Sequence, residues 1–164
     1  MTSPATQAAF LDLLNGHQKI LYKVANTYCW NAGDREDLVQ EITIQLWRSY
    51  PGFDGRCRFS TWATRIALNV AISFVRQVST RDRHLVSGEE HMLDIADGTT
   101  APSAELQFLH SFIQSLGGLD KALLLLYLDG NSHQEIADVL GITATNVATK
   151  IGRLKQRLRE TASH

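Results

Sequence analysis

Apolar positions recur along this chain at three- and four-residue steps, the period of an amphipathic helix. Phe10, Leu13, Leu14, Leu21, Val24 and Tyr28 follow it, which predicts a first helix or helix pair, with Gly16 as the break. Ala32–Gly33–Asp34 reads as a loop and N-cap. Asp34, Glu36 and Asp37 then fall in the first turn of the next helix, where carboxylates complement the positive end of the macrodipole. That helix, about Arg35 to Tyr50, carries Leu38, Ile42 and Leu46, with Val39, as its core stripe. Gln40, Glu41, Gln45 and Arg48 point elsewhere, and Pro51–Gly52 ends it. After the loop PGFDGRCR, Ser60 or Thr61 caps a third long helix running to about Gln77. Its expected stripe is Ile66, Val70 and Phe74, with Trp62, Arg65, Asn69 and Arg76 largely off it.

The second half is sharper. A helix from Pro102–Ser103 through Leu116 is expected to bury Leu106, Leu109, Phe112, Ile113 and Leu116, and Gly117–Gly118 closes it. Asp120 caps the next helix, KALLLLYL, which ends at Asp129–Gly130. Ser132 and Glu135 then form a capping box ahead of Ile136, Ala137, Val139 and Leu140. Gly141 supplies a tight turn. Thr143 caps a last helix with Val147, Ile151, Leu154 and Leu158 on one side. A short helix, a glycine turn and a second helix make a helix-turn-helix. Ala144, Thr145, Asn146, Thr149, Lys150 and Arg153 then lie on or near the outward face. There, short polar side chains reach base edges and cations reach phosphates. The bland alternative is a helical hairpin that binds protein.

Charge changes this picture in one respect. Sixteen basic residues stand against seventeen acidic ones, for a formal net charge of −1, so a uniformly basic nucleic-acid coat is excluded. The balance hides a partition. Residues 84–116 hold five acidic side chains (Glu89, Glu90, Asp94, Asp97 and Glu105) and no basic ones, whereas Lys150, Arg153, Lys155, Arg157 and Arg159 crowd the last helix. The stretch SGEEHMLDIADGTTAPS is acidic, aperiodic and interrupted by Gly and Pro, so it reads as a linker. The expected organisation is an all-α chain of two small helical domains, 1–83 and 103–164, joined by an acidic linker at 84–102. The longest strictly apolar run, Ala122 to Leu128, falls far short of the ~20 residues that span a bilayer, and MTSPATQAAF lacks the form of a secretory signal. A soluble, cytoplasmic protein is expected. Cys29 and Cys57 make neither a disulfide framework nor a four-thiolate zinc site. His17, His84, His91, His110, His133 and His164 form no metal motif, so no metal, cofactor or catalytic residue is assigned.

Taken together, DREDLVQE, the FSTWATRIALNVAISFVRQ helix, EIADVLGI and the basic final helix resemble extracytoplasmic-function (ECF) sigma factors, small promoter-specificity subunits of bacterial RNA polymerase. The resemblance covers nearly the whole chain: a helical region 2, an acidic linker and a helical region 4. It implies that Asp37, Gln40 and Glu41 dock on the clamp coiled coil of the polymerase β′ subunit. It implies that the segment from Phe53 to Arg76 captures the non-template strand of the −10 element, with Arg56, Arg58, Trp62, Arg65, Asn69 and Arg76 as its candidates. Unpaired bases call for apolar or aromatic faces, and their backbone for cations. It assigns Thr145, Asn146, Thr149, Lys150 and Arg153 to the −35 duplex, and it implies an anti-sigma factor as a further partner. The chain departs from the family pattern at Ala148, where a basic residue is common, at Leu119–Asp120 in place of Leu-Pro, and at Asn146 in place of Thr. Arg65 and Ile66 stand where primary sigma factors carry their melting aromatics.

Two rivals remain at this point. One is a stand-alone helix-turn-helix regulator, which has no need of the DLVQE helix or the FSTW segment. The other is an enzyme, for which no phosphate loop, metal pair or nucleophile elbow is present. Trp62 as a core aromatic and the arginines as an ordinary solvated face also stay open.

Overall fold

A computed structural model describes residues 3–82 and 103–163, with side chains described to residue 78 in the first span. The acidic linker expected at 84–102 lies outside the described residues. Among the described residues the chain is helical, with no strand, and it divides into two compact units, 1–93 and 94–164.

The first unit holds α1 (Pro4–Gly16), α2 (Gln18–Tyr28), α3 (Ala32–Ser49) and α4 (Phe59–Asp82), with a single 3-10 turn at Tyr50–Gly52. The Ser3 hydroxyl caps α1, accepting from the Thr6 amide. The break between α1 and α2 falls at His17, whose ring Nδ1 sits 2.7 Å from the Leu13 carbonyl. The start of α3 differs from expectation. Asn31 is the N-cap, accepting the Asp34 amide at 2.7 Å, so Ala32 and Gly33 are helical and Asp34 alone occupies the acidic first turn. Arg35 ties this junction by donating to the Trp30 carbonyl at 2.8 Å.

Leu38, Ile42 and Leu46 are fully buried, as their spacing requires. The stripe on α4 is corrected. The residues that face the core are Phe59, Ala63, Ala67, Leu68 and Ala71, whereas Ile66, Val70 and Phe74 are only half-buried. Alanine every fourth residue makes a shallow seam, and α2 adds the fully buried Ala25. Bulky Leu and Ile side chains of α3 fill the space that this seam leaves, which lets the helices close at native density. The helix also begins at Phe59, so Ser60 and Thr61 lie inside its first turn rather than capping it.

The second unit holds α5 (Ala104–Gln114), α6 (Gly118–Leu128), α7 (His133–Leu140) and α8 (Ala144–Ala162). Ser103 caps α5, and Phe112 and Leu116 are buried. Leu106, expected inside, is 58% exposed, and Leu109 and Ile113 are half-buried. Asp120 does not cap α6. Gly117 is the N-cap and Asp120 stands in the first turn, where its charge meets the helix dipole. Ala122, Leu123, Leu126, Ile136, Ala137, Val147, Ile151 and Leu154 build the core of this unit. The Lys155 ammonium, 4.7 Å from the centre of the Tyr127 ring, adds a cation–π contact between α8 and α6.

Candidate nucleic-acid and polymerase interfaces

The turn between α7 and α8 follows from local chemistry. Ser132 Oγ accepts from the Glu135 amide at 3.1 Å, and the Glu135 carboxylate accepts from the Ser132 amide at 3.4 Å. This reciprocal box fixes the start of α7. Gly141, at φ +71°, ends it, and the amides of Gly141 and Ile142 both donate to the Ala137 carbonyl. A side chain at that φ is strained, so glycine is the residue that turns the chain here. Thr143 Oγ1 then accepts from the Asn146 amide at 3.0 Å and starts α8. Thr145, Asn146, Thr149 and Arg153 are exposed, and Lys150 is half-buried beside them. Thr149 donates its hydroxyl to the Thr145 carbonyl at 3.0 Å, which leaves its oxygen lone pairs facing outward as acceptors.

On the first unit, Asp37, Gln40 and Glu41 are exposed and occupy one face of α3. They form one rim of a groove between α3 and α4 whose floor is Ile44, Ile66, Val70 and Phe74. Ile44 is 44% exposed. Sequence reasoning assigned Ile66, Val70 and Phe74 to the core and passed over Ile44. Ile44, between Glu41 and Gln45, gives this helix a second, partly apolar face.

The −10 candidates divide. Arg65, Asn69 and Arg76 are exposed on one side of α4, and Asn69 also lines the groove with Asp37, Gln40 and Glu41. Arg56 and Arg58 are exposed on the loop before α4. Asp54 organises that loop: its carboxylate accepts from the Arg56 amide at 3.0 Å and pairs with Arg56 Nε at 3.1 Å around Gly55, at φ +77°. An exposed pair of this kind is worth ~0–1 kcal/mol, so the guanidinium is readily given up to a phosphate. Trp62 is half-buried in an aromatic cluster, with ring centroids 5.0 Å from Phe53, 5.5 Å from Phe59 and 6.4 Å from Tyr50. It is therefore part of the packing while keeping one side open. Tyr50 and Phe53, neither of them among the candidates read from the sequence, complete this cluster.

Family models described as Sigma-70 region 2 and Sigma-70, region 4 match residues 13–81 and 109–158. ECF RNA polymerase sigma factor SigW of Bacillus subtilis is 30% identical over 167 residues, covering 94% of this chain and 89% of its own. The chain belongs to the ECF RNA polymerase sigma factors. It is a promoter-specificity sigma factor, and the two matched regions leave the stand-alone regulator unfavoured. RNA polymerase sigma factor CnrH of Cupriavidus metallidurans is also 30% identical, over 93% of this chain and 85% of its own. Among solved structures, this sigma factor is similar in fold to RpoE of Bartonella quintana, solved with the anti-sigma factor NepR. The TM-score is 0.69, at 22% identity, over 94% of this chain and 97% of that one. CnrH, solved with the cytosolic domain of CnrY, gives a TM-score of 0.65 at 22% identity over 96% and 89% of the two chains. Among the described residues of this sigma factor, no group of His, Cys, Asp and Glu is placed to hold a metal ion, and no helix is long and apolar enough to cross a membrane.

Proposed function

We propose that this sigma factor docks on the β′ clamp coiled coil of core RNA polymerase through the α3–α4 groove. The carrying observation is the acidic and amide rim of Asp37, Gln40 and Glu41 above an apolar floor of Ile44, Ile66, Val70 and Phe74. Such a groove suits a helical partner with an apolar ridge and basic flanks. The loop and helix from Phe53 to Arg76 capture the non-template strand of the −10 element. Trp62 offers a stacking face, and Arg56, Arg58, Arg65 and Arg76 meet the backbone. Asn69 stands where the two surfaces meet. The start of α8 reads the −35 duplex through Thr145, Asn146 and Thr149, while Lys150 and Arg153 hold phosphates. The likeness to two sigma folds solved with anti-sigma partners supports an anti-sigma factor as the regulator here. The protein acts in the cytoplasm and carries out no chemistry of its own.

Gln40→Ala with Glu41→Ala tests the docking reading. Both side chains are exposed, so the double variant keeps its melting transition. Its affinity for core polymerase drops by an order of magnitude, about 1.4 kcal/mol. Undiminished core affinity in the folded variant rejects this docking face.

A further inference from the structure

The loop that presents Arg56 and Arg58 has little of its own to hold it in place. Within it, the Asp54 side chain bonds only to Arg56, and that pair is exposed, the Arg56 side chain being 90% accessible. Two backbone hydrogen bonds clamp its ends: Phe53 N to Tyr50 O at 2.9 Å, and Trp62 N to Arg58 O at 3.1 Å. Between these clamps the ends of the loop are fixed by rings. Phe53 lies 5.0 Å from Trp62 and 5.9 Å from Phe59, edge to face with the latter.

At the far end of the loop the His17 ring holds Phe59, 4.9 Å away. On the Phe53 side it is Tyr50 that joins this cluster to the rest of the unit. Its ring stacks on Phe53 at 6.3 Å, meets Trp62 edge-on at 6.4 Å, and packs on Phe10 of α1 at 5.2 Å. Phe10 is 3% exposed and rests in turn on Trp47 at 5.0 Å. An unbroken path of rings thus runs from α1 and the end of α3 to both ends of the loop. We infer that Tyr50 is a positioning residue for −10 strand capture. It acts through Phe53 and Trp62, and α1 braces it from behind through Phe10. The inference rests on the strand-capture reading above, because it matters only if this loop and Trp62 hold the strand.

The physical reason is the tolerance of stacking. Aromatic rings pack in offset or edge-to-face arrangements, and each pair contributes beyond its buried area. Removing the hub lets Phe53 and Trp62 re-pack against each other, which moves the stacking face and the base of the arginine loop together. The −35 helix and the polar rim of α3 do not share these rings, so their ligands report the fold without reporting the loop.

The test uses three probes: core polymerase, titrated onto the sigma factor, and then a −10 non-template single strand and a −35 duplex, each titrated onto the reconstituted holoenzyme. Tyr50→Leu weakens the single strand about tenfold, the size of losing one or two aromatic pairs. It leaves core affinity and −35 affinity unchanged, and Tyr50→Phe, which keeps the ring, restores strand affinity to within about twofold. If Tyr50→Leu does not hold its fold, Phe10→Leu takes its place, removing only the backing ring, with a severalfold loss expected for the same probe. Wild-type strand affinity in a folded ring-deleted variant overturns the inference, and so does an equal loss on all three probes. Arg56→Ala with Arg58→Ala separates the two levels. If that double variant captures the strand normally, the strand-capture reading itself fails. If it weakens capture while Tyr50→Leu does not, only the positioning role fails.

Discussion

Gly141 and Gly152 invite one substitution with two opposite signs. At each, a β-carbon meets no heavy atom within 4 Å, so packing drops out of the comparison and backbone conformation decides. Gly141 holds φ +71° where α7 ends. An L-residue in that region costs ~1–2 kcal/mol, and the smaller entropy of an unfolded alanine chain offsets ~0.4–1 of it. The expected result of Gly141→Ala is a net loss of about 1 kcal/mol. Gly152 lies inside α8, with no positive φ. There alanine relieves the conformational freedom that glycine carries into a helix, and Gly152→Ala gains about 0.8–1 kcal/mol. The two variants stand about 2 kcal/mol apart. For a unit of this size, 1 kcal/mol moves Tm by ~4–8 °C, so the separation is on the order of 10 °C.

The distribution of tryptophan makes the assay selective. Trp30, Trp47 and Trp62 all belong to the unit at 1–93, so their emission follows that unit alone, whereas circular dichroism at helix wavelengths follows both. On the intact chain, both variants shift the dichroism melt, in opposite directions, and leave the tryptophan transition in place. Stabilisation by both refutes the reasoning at Gly141, because it means that the turn does not require a left-handed residue, and destabilisation by both refutes it at Gly152.

The other predictions concern the first unit and the promoter. Trp62→Ala costs about 2 kcal/mol, roughly half of the ~3–5 for a fully buried Trp, and also reduces permanganate reactivity of the −10 strand; a variant that melts normally and opens promoters normally contradicts both roles. Burial pushes the Tyr28 phenol well above its ordinary value, so the folded state favours the neutral ring. Its contribution is complete below the unfolded value of 10.0 and is lost as pH rises above it; tryptophan-monitored melts show the first unit weakening there, and Tyr28→Phe weakens less. Titration of a −35/−10 duplex at matched salt gives weak binding by the protein alone and tight binding once core is added. Tight, sequence-specific binding by the protein alone restores the stand-alone regulator.

What was legible in the sequence was the chemistry that acts over a few residues. The Ser132–Glu135 box, the Gly141 turn and the Thr143 cap each pair a side chain or a φ with backbone three or four residues away, and each stands where it was expected. The stripe Leu38, Ile42 and Leu46 was legible because large aliphatic residues at four-residue steps leave little choice. On α4 the same rule misled. Ile66, Val70 and Phe74 outweigh Ala63, Ala67 and Ala71 in hydrophobicity, yet packing against the bulky α3 stripe demands small side chains. Caps shifted for a related reason. Gly33 suggested a loop, but Asn31 reaches the Asp34 amide first, and a helix accommodates a glycine in its first turn. Leu106 shows a third limit: a period names the helix face but not how far along the helix a neighbour covers it. For the candidate site, the polar rim on α3 could be read as the complement of the core stripe. The groove floor and the ring path through Tyr50 could not, since both depend on which helices meet.

The cations on the proposed DNA surfaces explain why those surfaces belong together. On α8 the cations that flank the reading positions are Lys150 and Arg153; Ala148 contributes no charge, Lys155 lies over Tyr127, and Arg157 and Arg159 stand a turn or more beyond Arg153. Each phosphate neutralised contributes about 0.9 to the slope of log affinity against log salt, so two contacts give a slope of only about −2. That is too little to hold a duplex on electrostatics alone. The first unit offers Arg56, Arg58, Arg65 and Arg76, but they are directed at a strand that is single only after melting. Neither unit has a strong reason to bind intact DNA by itself. A common platform changes this, because fixing both units converts the second contact into an intramolecular one and multiplies the affinities. On this reasoning the α3–α4 groove is the gate for DNA recognition as well as for assembly. A partner that occupies the groove silences both at once, and of the proposed DNA-binding residues it covers Asn69.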